Sequence, residues 1–331
     1  MRKHNKYYSG PLSDHFDGHH FFNPNSSFSN KFFHFVKWRL TRKVESWPKE
    51  VPNKFEDIPP KHVNTGELMV SWVGHLTFLL QIEGVNILTD PVWSQRASPY
   101  QWIGPSRVSP PGIRLENLPK IDVILITHNH YDHLDLKTLD HLWKRDKPII
   151  IVPLGNDTII KNYNHNIQVI AKDWFEVVKI NDNVEIILDP AQHWSARNLK
   201  DKNRALWTSF IIKTSSGNIY FAGDTGYAEG KYFKNALEQH KNFRLALLPI
   251  GAFQPRWFMN YSHMDPQQAI LAFKDLNMPF AVPSHYATFP LADDGYDEAL
   301  LTFFEYAKQY NVDLNVFKPL SIGEHWLVPR N

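Results

Sequence analysis

Short hydrophobic runs separated by turn residues dominate the chain from residue 66 onward. Three of them follow one another at residues 68–73, 77–82 and 85–89, and Glu83-Gly84 stands between the last two. A glycine-containing pair between two apolar runs is typical of a tight hairpin turn. These runs therefore predict three adjacent antiparallel strands.

Farther along, apolar runs alternate with segments whose apolar residues recur at helical spacing. The runs that predict strands are residues 121–126, 149–152, 168–170, 175–180, 184–188, 209–214, 218–222, 245–248 and 280–283. The segments that predict helices are residues 136–143, 156–163, 229–240, 297–310 and one that begins near Pro266. Both halves place strands first and strand–helix alternation afterwards. We therefore expect an α/β fold of two mixed sheets packed face to face with helices outside.

The first 65 residues lack this organisation, and we expect them to form an N-terminal extension to one domain at residues 66–331. Within the extension, residues 28–47 place apolar side chains near one face at helical spacing, which predicts an amphipathic helix. The residues of this predicted face are Phe28, Phe32, Phe35, Val36, Leu40, Val44 and Trp47. Such a basic, aromatic helix can lie on a membrane surface or pack on the domain, and packing is the commoner outcome. The prolines that predict a semi-rigid linker after it are Pro48, Pro52, Pro59 and Pro60.

Composition narrows the choice of environment and partner. The formal net charge is +2 over 331 residues, without a clustered basic stripe, which argues against nucleic acid as a partner. The chain has no cysteine, which excludes disulfides and thiolate-bound metal and fits a reducing compartment. It has no apolar run of about 18 residues and no apolar segment after its basic N-terminus. We therefore expect no membrane span, no secretory signal and a cytoplasmic location; contact with the inner face of a membrane and a homodimer stay open.

One stretch of the chain concentrates side chains that bind metals. Thr127-His128-Asn129-His130-Tyr131-Asp132-His133-Leu134-Asp135 holds three histidines and two aspartates. It follows the apolar run at 121–126 and precedes a segment of helical spacing. These side chains are therefore expected at the end of a buried strand, where α/β folds commonly place their chemistry.

The same arrangement recurs at three other predicted strands. His193, Asp224 and His285 each stand just beyond an apolar run. Each alone would more often be a packing, capping or turn residue. With the motif they supply five histidines and two aspartates, enough for two metal ions that share one carboxylate. Nitrogen and oxygen donors suit zinc, with iron and manganese as alternatives.

The spacing His128-x-His130-x-Asp132-His133, followed by the three later residues, resembles the metallo-β-lactamase superfamily. Further segments are similar to the N-acyl-phosphatidylethanolamine-hydrolysing phospholipase D family and its bacterial relatives. They are Leu88-Thr89-Asp90-Pro91, Ser94-Gln95-Arg96-Ala97-Ser98-Pro99, Ile103-Gly104-Pro105, Ala191-Gln192-His193-Trp194, Phe221-Ala222-Gly223-Asp224-Thr225-Gly226-Tyr227, Pro249-Ile250-Gly251-Ala252, Pro255-Arg256-Trp257-Phe258-Met259 and Asp265-Pro266. The resemblance covers roughly residues 65–295 and implies an αββα sandwich with a metal centre at one edge.

The resemblance also implies roles for individual residues. The implied metal ligands are His128, His130 and His193 for one ion, Asp132, His133 and His285 for the other, and Asp224 as the bridge. The catalytic residues would be Asp132 and Asp224, to which we add His263 as our own candidate for a substrate contact; capping of the helix at Pro266 is its alternative role. A metal-bound hydroxide would attack phosphorus in line while the metals stabilise the developing charge.

Two irregular segments, residues 93–119 and 251–265, are expected to form the substrate cleft. A loop as long as the first is functional or disordered in a compact domain, and its aromatic residues favour an ordered loop that covers a cleft. The expected substrate contacts are Trp93, Arg96, Tyr100, Trp102, Arg256, Trp257 and Tyr286.

The resemblance therefore implies a dinuclear zinc hydrolase of phospholipase D type. Such an enzyme would release N-acylethanolamine from N-acyl-phosphatidylethanolamine or a related phospholipid. Because this fold hosts many reactions, hydrolysis of a soluble ester, lactone or phosphodiester is the alternative. A non-catalytic metal-binding protein is a third hypothesis, which the presence of all seven ligand residues disfavours.

Overall fold

Two β-sheets form the centre of the computed structural model, which describes residues 5–24, 32–55 and 58–330. Strands are numbered in chain order. Those of the first sheet are β1 (Leu68–Gly74), β2 (Thr77–Ile82), β3 (Val85–Thr89), β4 (Val123–Leu125), β5 (Ile149–Pro153), β6 (Val169–Lys172) and β13 (His325–Val328). Those of the second are β7 (Val177–Lys179), β8 (Val184–Asp189), β9 (Ser209–Thr214), β10 (Asn218–Phe221), β11 (Phe243–Pro249) and β12 (Phe280–Ser284).

Both sheets combine an antiparallel meander with parallel strands. The first has the order β13-β1-β2-β3-β4-β5-β6, antiparallel from β13 to β3 and parallel from β3 to β6. The second has the order β12-β11-β10-β9-β8-β7, antiparallel from β7 to β10 and parallel from β10 to β12. The prediction of two mixed sheets is therefore confirmed.

The sheets face each other across one apolar core, and a second core lies under the helices of the first sheet. Phe78 and Leu80 on β2 belong to the cluster that includes strands of both sheets. Leu79, between them, packs instead with Leu139 and Leu142 of the helix that follows β4. Successive side chains of a strand point to opposite faces, so β2 serves both layers.

The helices are α1 (Phe32–Thr41), α2 (Leu136–Asp146), α3 (Asn156–Tyr163), α4 (Lys231–His240), α5 (Arg256–Met259), α6 (Pro266–Asp275) and α7 (Glu298–Gln309). α4 begins two residues later than predicted because Glu229 and Gly230 have φ values of 56° and 79°, in the left-handed region. Within the described ranges, no helix combines the length and apolar character that crossing a bilayer requires.

One strand was not predicted from the pattern. β13 has only four residues, and Leu327 within it is 52% exposed. A run this short, partly exposed and at the sheet edge gives little periodic signal. Its place is decided by pairing with β1, where Leu68 faces Val328.

The N-terminal helix is shorter than the pattern predicts. α1 ends at Thr41, although the apolar spacing continues to Trp47, and residues 28–31 lie outside the described part of the chain. Beyond α1, Arg42 Nε donates to Asp293 Oδ1 at 3.0 Å, and the Trp47 indole donates to the carbonyl of the next residue, Asp294, at 2.8 Å. The backbone N–H of Glu45 donates to the carbonyl oxygen of Asp293 at 3.2 Å, so a tertiary bond stands where a longer helix would place a helical one.

The buried face of α1 also differs from the predicted one. Trp38, outside the predicted face, is 7% exposed, stacks on Phe258 at 5.0 Å and donates to both oxygens of Asp293 at 3.1 Å. Leu40, within the predicted face, is 81% exposed. An indole that finds a carboxylate partner outweighs a weak apolar stripe, so the predicted face is wrong at these positions.

Residues 5–24 contact the domain closely. Phe16 and Phe21 are buried in one apolar cluster with Trp174 and Trp207. His15 Nε2 lies 2.8 Å from Asp173, where the histidine also stacks on the Trp174 ring. The boundary at residue 65 stays a prediction, and these contacts join the two sides of it.

We predict that Trp38→Ala releases α1 from the domain. Removing a buried indole in comparable settings costs about 3–5 kcal/mol, and here it also removes one of the two side chains, Trp38 and Arg42, that donate to the Asp293 carboxylate. Amide hydrogen exchange in residues 33–41 should accelerate at least about tenfold, because local opening becomes easier.

Leu40→Ala is the matched control on the same helix, since surface substitutions of this kind change stability by less than about 0.5 kcal/mol. Equal exchange rates in both variants would show that Trp38 does not hold α1.

Candidate metal centre

The four predicted strand-end positions meet at one edge of the sandwich. Residues 127–135 follow β4, His193 follows β8, Asp224 follows β10 and His285 directly follows β12. β4, β10 and β12 each pair in parallel with a neighbouring strand, and the carboxyl ends of parallel strands lie at one edge of their sheet. The two sheets bring these edges together.

The first donor group consists of His128, His130, His193 and Asp224, whose ligand atoms all lie within 4.8 Å of one another. His128 Nε2 is 2.8 Å and His193 Nε2 is 3.3 Å from His130 Nδ1. Asp224 Oδ2 lies 3.6 Å from His193 Nε2 and 3.9 Å from His128 Nε2. The group is buried except for His130, which is half-buried.

The second donor group consists of His75, Asp132, His133 and His285, again within 4.8 Å. Asp132 Oδ2 lies 3.1 Å from His133 Nε2 and 3.6 Å from His285 Nε2. Asp224 reaches this group too: its Oδ2 is 3.2 Å from His133 Nε2, and its Oδ1 is 3.1 Å from His285 Nε2. One carboxylate therefore lies between the two groups.

Hydrogen bonds on the far side of the rings turn their lone pairs into the site. His133 Nδ1 lies 2.8 Å from Asp90 Oδ2, and His193 Nδ1 lies 3.0 Å from the carbonyl oxygen of Ser262. Because a carboxylate and a carbonyl only accept, both Nδ1 atoms donate, so the lone pair of each neutral ring is on Nε2.

His128 follows the same logic through a hydroxyl group. Thr127 donates its hydroxyl proton to Asp90 Oδ2 at 2.7 Å, so its oxygen accepts from His128 Nδ1 at 2.9 Å. His128 Nε2 is thereby left as a lone pair that faces His130 Nδ1. Such outer bonds are typical of metal-binding histidines.

The charge states also suit a metal cation. Burial lowers the pKa of His130, His193 and His263 to about 3, which keeps these imidazoles neutral at neutral pH. Burial opposes ionisation of Asp132 and Asp224, yet the neighbouring imidazoles hold the pKa of both carboxyl groups well below the usual range. Neutral imidazoles and ionised carboxylates are the forms that bind metals.

The same carboxylates attract positive charge to the second group. Although burial opposes it, Asp132 and Asp224 raise the pKa of His133 well above its ordinary value. Asp224 and Asp132 likewise raise the pKa of His285, which burial would lower, to about 9. The donor set therefore fits divalent cations: when Asp224 is counted in both, each implied ligand set has four donors.

His263 lies beside both groups. Its Nδ1 is 3.9 Å from Asp224 Oδ2, and its ring is 5.2 Å from the His193 ring. The side chain is 13% exposed, so solvent can reach it. α6 is capped by Asp265, whose side chain accepts from Gln268, so the alternative role of His263 as the cap of this helix is not the one observed.

The expected substrate contacts fall into two sets. Tyr100, Trp102 and Trp257 are at least half exposed, at 57%, 75% and 50%. Arg96 donates to the carbonyl oxygen of Gly104 within the long loop. These four stay predicted contacts, with Trp257 on α5 and the other three on the long loop.

The other three expected contacts have structural partners. Trp93 donates from its indole to the Ile113 carbonyl oxygen at 3.0 Å, and Tyr286 is 6% exposed. Arg256 Nη1 donates to the carbonyl oxygen of His263 at 3.1 Å. Arg256 therefore holds the segment that carries His263, and its direct contact with substrate stays a prediction.

The comparisons with known proteins agree with this arrangement. Residues 85–286 match the family described as the Beta-lactamase superfamily domain. The chain belongs to the beta-lactamase superfamily. An uncharacterised protein of Mycobacterium tuberculosis is 36% identical to it over 260 residues, 77% of this chain and 68% of that protein. N-acyl-phosphatidylethanolamine-hydrolyzing phospholipase D 1 of Caenorhabditis elegans is 36% identical over 243 residues, 71% of this chain and 68% of the relative.

A solved structure supports the same assignment. Igni18, a metallo hydrolase from the archaeon Ignicoccus hospitalis, is similar with a TM-score of 0.58 and 25% identity, covering 80% of this chain and 100% of that one. This member of the beta-lactamase superfamily is a metal-dependent hydrolase with the metallo-β-lactamase fold.

Sequence reasoning missed two residues of the centre. His75 lies in the turn between β1 and β2 and touches Asp132, and Asp90 accepts from both His133 and Thr127. Both follow apolar runs, as the predicted ligands do. That signal was present, but Asp90-Pro91 is equally typical of a strand end.

We predict that Asp90→Asn lowers metal affinity of this superfamily member about 10–100-fold. An amide offers one acceptor oxygen where the carboxylate offers two, to receive the bonds from Thr127 and His133. His133 could then change tautomer, which would put its proton on Nε2 and remove the lone pair that faces the site. Equilibrium dialysis against a graded chelator measures the change.

Asp189→Asn is the matched control, because Asp189-Pro190 also ends a buried strand. Burial raises the pKa of Asp189 to about 8, so its carboxyl is protonated at neutral pH and an amide replaces it closely. If Asp90→Asn retained metal as well as this control does, the Asp90 bond would have no role in binding.

Proposed function

We propose that this metal-dependent hydrolase is a phospholipase D-type phosphodiesterase with two bound divalent metal ions. Its substrate would be N-acyl-phosphatidylethanolamine or a related phospholipid, and its products phosphatidate and N-acylethanolamine. The observation that carries the proposal is the position of Asp224 between the two donor groups, as a dinuclear phosphodiesterase requires. The name of the Caenorhabditis elegans relative supports the substrate class.

The residues that would hold the ions are His128, His130 and His193 for the first, Asp132, His133 and His285 for the second, and Asp224 for both. Zinc is our first assignment, and iron and manganese are the alternatives. When bound, two such ions activate water and neutralise charge on a phosphoryl group.

The chain itself would orient the phosphodiester. His263, which solvent can reach, can offer a ring N–H to a phosphoryl oxygen within reach of Asp224. Because its imidazole is neutral, it would serve as a hydrogen-bond donor. The departing ethanolamine oxygen would then take its proton from water.

An apolar face beside the site suits a lipid substrate. Phe33 and Leu40 on α1 are 71% and 81% exposed, and Trp257 on α5 is half exposed with Lys37 Nζ 5.0 Å above its ring. α5 leads directly to His263. We call Phe33, Leu40 and Trp257 the apolar face and propose that it rests on the membrane surface next to the substrate headgroup.

The substrate class can be tested directly with N-acyl-phosphatidylethanolamine vesicles in ¹⁸O-labelled water. We expect equimolar N-acylethanolamine and phosphatidate, with the heavy oxygen on the phosphatidate, because water forms the new bond to phosphorus. Mass spectrometry of both products measures the outcome. Heavy oxygen on the N-acylethanolamine, or equal turnover of a short soluble phosphodiester, would contradict the proposal.

Asp224→Asn serves as the control for this experiment. Because loss of an outer hydrogen-bond partner already costs about 10–100-fold, loss of the shared carboxylate itself should reduce both bound metal and turnover by more than about 100-fold. Retained full activity would exclude the bridging role.

We predict that Phe33→Ser combined with Leu40→Ser lowers the rate on vesicles at least about tenfold, because each side chain loses an apolar contact worth about 1.5–3 kcal/mol. The rate on a short soluble phosphodiester should not change. Vesicle co-sedimentation and product release measure the two effects.

Met278→Ser is the matched control, since Met278 is 57% exposed but precedes β12, at the sheet edge opposite the donor groups. An equal loss of rate on vesicles with this variant would show that the effect reflects stability and not the apolar face.

A further inference from the structure

His75 is held in an uncommon backbone conformation at the edge of the second donor group. It follows Gly74 in the turn between β1 and β2 and has a φ of 57°, in the left-handed region. Its N–H donates to Thr288 Oγ1 at 2.9 Å, and its carbonyl oxygen accepts from the backbone N–H of His285 at 3.1 Å. The indole of Trp72 donates to the same carbonyl at 3.0 Å. These hydrogen bonds therefore hold the backbone of His75 in place.

The imidazole ring of His75 is buried and packed against three other rings. The residue is 2% exposed, and its ring centroid lies 4.1 Å from that of His285 and 5.3 Å from that of His133. Phe289 presents its ring perpendicular to the imidazole at 5.4 Å. Rotation of the imidazole would break these contacts.

This fixed ring aims one nitrogen at Asp132. His75 Nε2 lies 2.9 Å from Asp132 Oδ2, and an ionised carboxylate can only accept, so Nε2 is the donor. The same oxygen is 3.1 Å from His133 Nε2 and 3.6 Å from His285 Nε2. The N–H of His75 thus limits how the carboxylate can turn among its neighbours.

We propose that His75 is a positioning residue that orients Asp132 toward the second metal ion without belonging to the implied ligand set. Asp224, the carboxylate shared with the first group, has contacts within 4 Å to the ring nitrogens of His128, His133, His193, His263 and His285. His75 is not among them. The two metal positions are therefore unequal, and His75 supports only the one at Asp132, His133 and His285. This inference rests on the proposed metal centre.

Two substitutions separate the effect of the hydrogen bond donated to Asp132 from the effect of removing the imidazole ring. In His75→Gln the side-chain amide nitrogen reaches about as far as Nε2, so the bond to Asp132 can form. In His75→Asn the amide is shorter and cannot reach, although asparagine tolerates positive φ better than most residues. The positive φ therefore favours His75→Asn, the variant that lacks the donor. Weaker metal binding in that variant would then not be due to backbone strain.

The experiment measures zinc stoichiometry and affinity by chelator competition, together with the visible spectrum of the cobalt(II)-loaded protein. For His75→Asn we expect one of two ions to bind about 10–100-fold more weakly, with the spectral change confined to the second half of the cobalt titration. His75→Gln should restore affinity to within a few-fold. Melting temperatures of the metal-depleted proteins check that both variants fold.

Three results would overturn the inference. They are wild-type affinity at both positions in His75→Asn, equal weakening in both variants, and weakening of both ions together. If the unaltered protein bound fewer than two ions, the proposed dinuclear centre would fall, and this inference with it. If the unaltered protein bound two ions and His75→Asn matched it, the inference alone would fail.

Discussion

The structure is organised around a buried cluster of imidazole and carboxylate lone pairs that face one another. His128, His133 and His193 are fixed by outer hydrogen bonds so that their Nε2 lone pairs converge on the Asp224 carboxylate. Buried acceptors that face one another cost free energy unless a proton or a metal lies between them. The raised pKa values of His133 and His285 express that demand. The outer hydrogen bonds to Asp90, Thr127 and Ser262 hold these rings in that orientation.

The fold explains how a chain can maintain such an arrangement. The donors come from loops that leave strands buried in two cores, so the backbone at each donor is anchored by packing. His285 and His75 both adopt positive φ, and the His285 N–H donates to the His75 carbonyl. Uncommon backbone conformations at sites of this kind persist when the surroundings overdetermine them. Here the surrounding bonds to Thr288 and Trp72 provide that constraint.

Much of this could be predicted from the sequence, for a definite physical reason. Strand signals and the motif at 127–135 are local, so they can be recognised without knowledge of distant contacts. The later positions His193, Asp224 and His285 gained weight because they repeat one local pattern. Asp90 and His75 differ, because their partners, His133 and Asp132, are far away in sequence and only the folded sheets reveal the pairing. Trp38 was missed similarly, since its burial depends on Asp293 and Phe258 near the other end of the chain.

The distribution of the donors over both sheets has a consequence for folding. No short fragment of the chain contains either complete group, since the first spans His128 to Asp224 and the second spans His75 to His285. An ion bound by either group would join the two sheets as a cross-link, because each group takes side chains from both sheets, and its binding free energy would add to the stability of the whole sandwich. Loss of the ion would then loosen the packing between the sheets as well as the chemistry. The sandwich and its metal centre would then fold and unfold together as one cooperative unit.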